Sequence, residues 1–270
     1  MTRATPFAAA ALCAAVLSPA SAVAQTADDW EFKAAIYGYF PTLSGTTTFP
    51  PTGASSSASV GIDTILDNLK FTFMGQFEAR KGAWGAYTDV IYLDVGDSKS
   101  GSRELAIGNR GLPAGVSADL DFDMKGWLWT LAGTYRAVSR PDYTLDVVGG
   151  ARLLDIEQTL GWKLDGSIGS VPVLDRSGQR KADLSNWDAV VGVKGRASFG
   201  ADRRWFVPYY FDVGAGQSKL TWQATVGLGY SFDWGGIVAA WRYIDYDMKS
   251  GKPVEDLNFN GPGIAVVFGW

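Results

Sequence analysis

Apolar and polar residues alternate with a period of two along most of the chain from Trp30 onward. This alternation predicts β-strands, because successive side chains of a strand point to opposite faces. We assign ten strands: Trp30–Phe40, Lys70–Arg80, Trp84–Val95, Asp119–Val138, Tyr143–Leu164, Trp187–Phe199, Trp205–Gly216, Leu220–Phe232, Ile237–Asp247 and Leu257–Trp270. Most of them reach the roughly 9–11 residues that a tilted strand needs to cross a bilayer.

The connections between these strands alternate in length. Tight turns rich in Gly, Pro and Asp fall at 81–83, 139–142, 200–204 and 233–236, and longer loops at about 41–69, 96–118, 165–186 and 248–256. One link, near Gln217–Lys219, breaks this rule. Short turns on one rim and longer loops on the other are typical of barrels that span membranes. The sequence therefore predicts an all-β, transmembrane, antiparallel up-and-down β-barrel of about ten strands, with eight or twelve as alternatives.

The free energy of placing charge in lipid decides which face of each strand points inward. Lys194 and Arg196 share one face of their strand, and each would cost roughly 2–4 kcal/mol if it faced lipid near the midplane. The same argument predicts a ladder of interior charges: Glu31, Lys33, Glu78, Arg80, Asp89, Arg136, Asp146, Arg152, Asp188, Lys194, Arg196, Asp212 and Arg242. Asp89 and Asp94 have opposite parity, which indicates either a bulge between them or the end of the membrane zone.

The interior charges allow two interpretations. They could line a narrow channel and set its selectivity, or they could pair as salt bridges and close the barrel. Barrels of about eight strands are just wide enough to be filled by side chains, and buried charges are costly without partners, so we favour the closed interior. The argument for a channel is a set of inward glycines that would leave room: Gly192, Gly214, Gly216, Gly227, Gly229 and Gly269.

The N-terminal residues have the pattern of a secretory signal peptide. Arg3 precedes the apolar run Phe7–Leu17, and the segment closes on Ala22-Val23-Ala24, an Ala-x-Ala cleavage site. We expect residues 1–24 to be a signal peptide that directs export through the Sec pathway, and residues 25–270 to form one barrel domain. Removal of this segment takes away the only cysteine, Cys13.

The C-terminal strand is the most informative part of the sequence. Ile264, Val266, Phe268 and Trp270 lie on one face, and the chain stops on the tryptophan. This ending resembles the aromatic signal by which bacterial outer-membrane β-barrels are handed to their assembly machinery. The resemblance predicts a Gram-negative outer-membrane location, with Phe268 and Trp270 as the assembly signal and the barrel assembly machinery as a partner. Aromatic residues at both ends of the strands, Trp84 and Trp187 among them, fit two interfacial belts.

One hairpin carries a further resemblance. The stretch Glu78–Gly85, continuing through Asp89 and Tyr92-Leu93-Asp94, is similar to a hairpin of small outer-membrane barrels of the opacity-protein and outer membrane protein A class. In particular it resembles an uncharacterised proteobacterial group within that class. The resemblance implies the fold and the location, and it transfers no substrate and no catalytic residue.

Composition argues against several other functions. The chain has no histidine, so Ser-His and Asp-His hydrolytic sites cannot be assembled, and zinc sites built from Cys and His are excluded as well. A Ser-Lys or paired-carboxylate site remains formally possible, but no spacing in the sequence singles one out, and we predict no enzymatic activity, no cofactor and no metal site. The formal net charge of −4 becomes more negative once Arg3 is removed, which argues against nucleic acid as a partner. The chain after the signal segment has no run of about 18 apolar residues, so helical membrane spans are not expected.

The expected partners are the lipid bilayer and lipopolysaccharide. Asp119, Asp121 and Asp123 form an acidic ladder at the expected external edge, where they could hold divalent cations against lipopolysaccharide phosphates or simply be solvated; we favour solvation. Ile62–Leu69 could be a short helix on the rim or a plug. The favoured function is a structural, adhesive or envelope-stabilising role through the external loops. The alternative is a narrow porin-like channel for small solutes or ions, and the sequence names no ligand for either.

Overall fold

A computed structural model describes residues 29–48, 55–60, 69–96, 116–168, 171–250, 252 and 254–270. Within these residues, twelve strands form one antiparallel sheet. They are β1 (Trp30–Tyr39), β2 (Thr42–Thr48), β3 (Ser55–Val60), β4 (Leu69–Lys81), β5 (Trp84–Gly96), β6 (Val116–Ser139), β7 (Tyr143–Ile168), β8 (Val171–Phe199), β9 (Trp205–Gly216), β10 (Ser218–Ser231), β11 (Gly236–Met248) and β12 (Val254–Gly269). None of the described segments is a helix long and apolar enough to cross a membrane.

Ten of the described strands close into a barrel. β1 pairs with β4, each strand from β4 to β12 pairs with the next, and β12 returns to β1 from Lys33↔Gly269 to Tyr39↔Gly263. This ring of pairings satisfies the backbone polar groups of neighbouring strands, which a membrane-spanning sheet requires, although the pairing of β1 with β4 ends at Ile36↔Gly75. β2 and β3 form an extra hairpin, in which β2 continues β1 beyond Phe40 and Pro41 and pairs with β12. The predicted ten-stranded antiparallel barrel is confirmed.

Two of the predicted long loops contain strands instead. β7 and β8 pair without interruption by a loop from Tyr143↔Ala197 to Ile168↔Val171, so most of 165–186 belongs to a tall hairpin, and 41–69 contains β2 and β3. Their strands are paired through the backbone, and their sequences are largely polar with only scattered apolar residues, which is why the sequence predicted loops. The signal segment, residues 62–68 of the predicted helix or plug at Ile62–Leu69, and residues 97–115 lie outside the described residues. Leu69, the last residue of that segment, begins β4.

The barrel has two distinct ends. At the turn end, short turns join β4 to β5, β6 to β7, β8 to β9 and β10 to β11, and β1 begins and β12 finishes there. At the opposite end, here called the hairpin end, β7 and β8 project furthest. Gly82 and Gly200 sit in two of the turns at φ of 60° and 88°, a left-handed conformation that glycine adopts without steric cost.

The outer surface of the barrel is apolar. Ile36 is 66% exposed, Val191 59% and Val226 55%. A continuous apolar exterior of this kind would drive aggregation in water and is what a lipid-facing wall requires. From Trp187 to Phe199, β8 rises roughly 40 Å at 3.3 Å per residue, which a tilt near 45° reduces to roughly 28 Å, close to the thickness of a bilayer core. The barrel is transmembrane.

Aromatic rings form a belt at each end of this apolar wall. The turn-end belt includes Trp30, Phe32, Trp84, Tyr135, Phe199, Trp205, Tyr230, Phe232, Trp234, Phe268 and Trp270, and several neighbours stack, as Phe32 does on Trp270 at 5.9 Å between centroids. The hairpin-end belt includes Phe71, Tyr92, Trp127, Trp129, Trp187, Trp222 and Tyr243. Amphipathic rings at two levels mark the two membrane interfaces.

The opposite parity of Asp89 and Asp94 has a simple explanation. β5 pairs with β6 without a bulge, so Asp94 lies on the outer face. Its carboxylate is 3.7 Å from the ammonium of Lys125, next to the belt residues Tyr92 and Trp127, whose rings are 4.4 Å apart. The membrane zone therefore ends between Asp89 and Asp94, which is the second of the two alternatives.

Candidate functional site

The interior of the barrel is built in three layers. At the turn end lies an open, charged cavity of about 510 Å³, here called the vestibule. Above it, buried ion pairs and hydroxyl groups form the ionic layer, and the hairpin half is filled by the apolar layer. Because inward and outward residues alternate along every strand, each strand contributes to all the layers that it passes.

Two carboxylates pair with cationic side chains at the wall of the vestibule. Glu78 accepts from Lys194 Nζ at 2.6 Å and from Arg80 Nη2 at 2.7 Å. Asp146 accepts from Arg80 Nη2 at 2.5 Å and from Arg136. These five side chains come from β4, β6, β7 and β8, so the network ties together strands that are not all neighbours in the sheet.

Arg196 has different surroundings. Its Nε donates to Ser198 Oγ at 3.1 Å and its Nη2 to Ser231 Oγ at 3.0 Å, and its guanidinium lies 3.7 Å from the centre of the Phe206 ring. A cation over an aromatic face is attracted by the ring quadrupole. This arrangement holds the guanidinium at the wall of the vestibule without a carboxylate among its hydrogen-bond partners.

Glu31 and Lys33 lie at the rim of the vestibule. They share the inward face of β1 with Ala35 and Tyr37, but both are solvent-exposed where β1 begins. The ladder predicted from the sequence thus extends from these exposed positions at the turn end to fully buried positions halfway up the barrel.

The centre of the ionic layer is the pair formed by Arg152 and Asp212. Both side chains are 0% exposed, and Arg152 Nη2 donates to Asp212 Oδ2. Tyr210 donates its hydroxyl proton to the same carboxylate at 2.5 Å, and Arg152 Nε donates to Thr130 Oγ1 at 3.1 Å. Charges this deep are stable only with such partners.

A second ion pair crosses the same layer. Arg242 Nη2 donates to Asp89 Oδ2 at 2.7 Å and to Gln223 Oε1 at 3.1 Å. The hydroxyl of Tyr37 donates to Asp89 Oδ1 at 2.5 Å. Asp89 lies on β5 and Arg242 on β11, so this pair bridges the barrel across β1.

Asp188 completes the layer toward the hairpin end. It accepts from Asn186 Nδ2 at 2.8 Å and from the backbone N–H of Ser218 at 2.7 Å. Asn186 and Asp188 are 0% and 1% exposed. This carboxylate therefore holds the close connection between β9 and β10 against β8.

The apolar layer fills the hairpin half of the interior. It consists of Tyr39, Leu43, Met74, Ile91, Val95, Met124, Leu128, Leu154, Ile156, Leu184, Ile244, Tyr246, Met248, Val254 and Leu257. Leu154 is 1% exposed, and Ile244 and Tyr246 are 0% exposed. The layer excludes water from the section that it fills.

Some of the inward glycines are crowded and do not leave the room that the sequence suggested, whereas a Cβ on Gly269 would meet nothing nearer than 3.7 Å. A Cβ on Gly214 would lie 2.7 Å from Val190 Cγ1, and one on Gly229 would overlap the ring of Phe206. Neighbouring side chains already take up the space beside these glycines. At Gly214 and Gly229 the missing side chain lets a large neighbouring group fit, so these two positions add no room for a channel.

The acidic ladder at the hairpin end is described in part. The backbones of Asp119 and Asp121 belong to β6, while their side chains lie outside the described set. Asp123 accepts from Lys70 Nζ at 2.5 Å, with each side chain about half exposed, and this hydrogen bond raises the pKa of Lys70. Among the described residues, no three or more His, Cys, Asp or Glu side chains gather as metal ligands would.

Sequence reasoning missed the neutral partners and the apolar layer. Tyr37, Tyr210 and Gln223 satisfy the ionic layer, and each lies on an inward face that the charged residues had already defined. Their odd or even position relative to the inward residues of the same strand is enough to assign all three to the interior. The apolar layer left no such signal, because an apolar side chain is stable on either face of a membrane barrel.

The architecture defines a closed, ten-stranded transmembrane barrel whose interior is packed above an open vestibule. No protein-family model and no curated protein matches the chain. Solved structures with a similar layout include the outer-membrane protease OmpT of Escherichia coli (9% identity, TM-score 0.44, 91% of this chain and 98% of that one). They also include the attachment invasion locus protein Ail of Yersinia pestis (12%, 0.33, 89% and 99%) and Neisserial surface protein A (11%, 0.27, 88% and 96%). At these identities and TM-scores, no role is transferred from them.

Proposed function

We propose that this protein is a non-enzymatic barrel of the bacterial outer membrane with a structural, adhesive or envelope-stabilising role carried by its hairpin end. The observation that supports this most is the filled interior. Arg152 and Asp212 are 0% exposed in the middle of the barrel, and the apolar layer lies directly above them. A water path through such a section would have to separate paired charges, which is costly.

The hairpin end offers the surface for this role. In such barrels short turns face the periplasm and longer connections face outward, so β7 and β8 would project from the cell. Their pairing continues 15 residues beyond Leu153↔Trp187, which lies at the belt, to Ile168↔Val171, a rise of roughly 50 Å along the strand. A paired hairpin of this height can reach lipopolysaccharide or a partner beyond the lipid headgroups.

Export and assembly follow the predictions from the sequence. Residues 1–24 would direct Sec export, and Phe268 and Trp270 would present the assembly signal at the turn end, where Trp270 is 67% exposed. The kinship with the opacity-protein and outer membrane protein A class rests on the hairpin from Glu78 to Asp94. With no histidine in the chain, the protein would lack the residue that most often performs acid–base catalysis.

A narrow channel is the second candidate function. The observation that favours it is the vestibule of about 510 Å³, which opens at the turn end and carries charged walls. Conduction would require the ionic and apolar layers to open.

Conductance separates the two candidates. We expect the refolded protein, shown by protease protection to be inserted in a planar bilayer, to be electrically silent because its middle section is packed. The double variant Lys194→Glu/Arg196→Glu should be equally silent, since both residues lie below the closed layers. Discrete conductance steps whose ion selectivity changes with this substitution would overturn the closed-barrel proposal.

Shortening the tall hairpin tests the proposed surface role. Leu160 and Arg180 face each other in the β7–β8 pairing, so replacing 161–179 by Asn-Gly should leave a hairpin that still closes. We expect the barrel to insert with an unchanged free energy of unfolding and to lose adsorption to lipopolysaccharide vesicles, together with the resistance of cells to large hydrophobic antibiotics. Replacing the short turn Gly82-Ala83 by Asn-Gly at the opposite end is the control. Unchanged adsorption and resistance after hairpin removal would contradict the proposal.

A further inference from the structure

The barrel wall is incomplete at one seam. β1 and β4 pair from Trp30↔Lys81 to Ile36↔Gly75, and their pairing stops there. β1 continues to Tyr39, and β4 extends toward the hairpin end as far as Leu69. Above this point β2 pairs with β12 and β3 instead of β4. Within the described residues, the two strands therefore part in the hairpin half of the wall.

Backbone hydrogen bonds show the same separation. Phe40 N–H donates to the carbonyl oxygen of Pro262 on β12 at 2.9 Å. On the side facing β4, Tyr39 N–H donates to the sulfur of Met74 at 3.1 Å, and Pro41 has no N–H to donate. A thioether is a weak acceptor compared with a carbonyl. The seam is thus held by a side chain that can move and not by a ladder of backbone hydrogen bonds.

A small cavity lies directly behind this seam. Its volume is about 80 Å³, and its inner wall belongs to the apolar layer, with Met74, Ile91, Met124 and Leu128 among the lining residues. It also reaches Phe40, whose ring lies against the outward position Gly38. The cavity therefore extends from the apolar layer to the outer surface of the barrel.

The surroundings of this cavity determine its occupant. Ile36 and Phe73, beside the seam, are 66% and 51% exposed on the lipid-facing wall. None of the described residues that line the cavity carries a charge, and the side chain of Tyr39 lies between it and the vestibule. An apolar cavity of about 150 Å³ can hold a benzene ring and stays dry when empty, so the smaller volume here suits a few methylene groups.

We propose that this cavity, here called the seam pocket, binds the end of a hydrocarbon chain that enters sideways from the bilayer between β1 and β4. The ligand class is the acyl chain of a membrane lipid, because the pocket is continuous with the lipid-facing wall. The binding is non-covalent and retains one lipid beside the Phe40–Pro41 bend. This site is independent of the surface role of the hairpin end, and either proposal can fail without the other.

A leucine at Gly126 would fill the seam pocket. Gly126 lines the cavity, and a Cβ added there would lie 3.5 Å from Asp155 O and 3.6 Å from Ile156 Cγ1, which are ordinary contacts. Gly133→Leu is the matched control. Gly133 lies on the same strand on the exposed outer face, and a Cβ there would lie 3.8 Å from Gly149 O.

The test is photolabelling in vesicles of phosphatidylcholine that carries a diazirine at the end of one acyl chain. We expect mass spectrometry to find label on the inward residues Met74, Met124 and Leu128 of the natural sequence, and on the outward residue Val191 as an internal reference. Gly126→Leu should lose the inward label and keep the outward label, whereas Gly133→Leu should keep both. Each variant is first checked for folding by the electrophoretic shift on heating.

Three outcomes would overturn the proposal. Outward label without inward label in the natural sequence would mean that no acyl chain enters. Inward label that persists in a folded Gly126→Leu variant would place the chain elsewhere. Inward label from a diazirine-bearing free fatty acid in detergent, but not from the phospholipid in vesicles, would identify a soluble amphiphile as the ligand and exclude the bilayer as its source.

Discussion

Replacing Arg152 by alanine is expected to lower the free energy of unfolding by about 3–5 kcal/mol, because it leaves one buried charge without a partner. Arg152 and Asp212 are both 0% exposed and form an ion pair at the centre of the ionic layer. After the substitution, the hydroxyl of Tyr210, at 2.5 Å, is the partner that the Asp212 carboxylate keeps among the described residues. Urea unfolding in lipid vesicles, followed by tryptophan fluorescence, measures the loss.

Two further variants separate lost pairing from lost packing. Arg152→Met/Asp212→Asn removes both charges while keeping an acceptor for Tyr210, so it should be more stable than Arg152→Ala. Lys219→Ala removes an exposed pair with Asp247, in which the lysine side chain is 70% exposed, and should change stability by less than about 0.5 kcal/mol. If Arg152→Ala cost no more than Lys219→Ala, water would have to reach the ionic layer, and the channel function would gain support.

The strand pattern and the inward faces could be predicted because lipid penalises misplaced charge. Lys194 and Arg196 allow only one orientation of their strand in a membrane, with both side chains facing inward. The predicted strand Trp205–Gly216 has the same bounds as β9. The free-energy cost of a charge in lipid also showed that Asp94 does not fit the inward face that Asp89 defines on the same strand. The structure places Asp94 beside Lys125, where the lipid zone has ended.

The tall hairpin could not be predicted by the same reasoning. Just beyond the belt, Ile156 and Leu184 still belong to the apolar layer, but the sequence from Asp165 to Asp183 shows no regular alternation of apolar and polar residues. Backbone pairing between β7 and β8 extends the two strands as far as Ile168 and Val171. Such pairing depends on how two segments align with each other, and the sequence of either segment alone gives little sign of it.

The seam and the apolar layer escaped prediction for a related reason. Leu153 and Leu154 are adjacent apolar residues, and either could face lipid or the interior at no cost. Only the neighbouring Arg152 decides the parity. Pro41 is visible in the sequence as a residue that cannot donate to a ladder, but the partner that β1 loses there can be identified only in three dimensions.

Placing an arginine at Val191 is expected to destabilise the barrel by roughly 2–4 kcal/mol in a bilayer, since it puts a charge on the lipid-facing wall. Val191 is 59% exposed and pairs with Gly149 and Val213 at the middle of the apolar band. In a water-soluble barrel the same change at so exposed a position would be nearly neutral. The free energy of unfolding is measured in vesicles of defined lipid, where folded and unfolded chains can be separated by their electrophoretic mobility.

Ser185→Arg is the matched control for this prediction. Ser185 is exposed on the same outer face of β8, two residues beyond the belt tryptophan Trp187, so its arginine would meet water and should cost little. Phe199, at the other end of the band, lies in the turn-end belt. A steep penalty at Val191 and a small one at Ser185 would place the bilayer boundary near Trp187. Equal effects at the two positions would show that the apolar wall is not embedded in lipid, and the inward orientation of Arg152 would then need another cause.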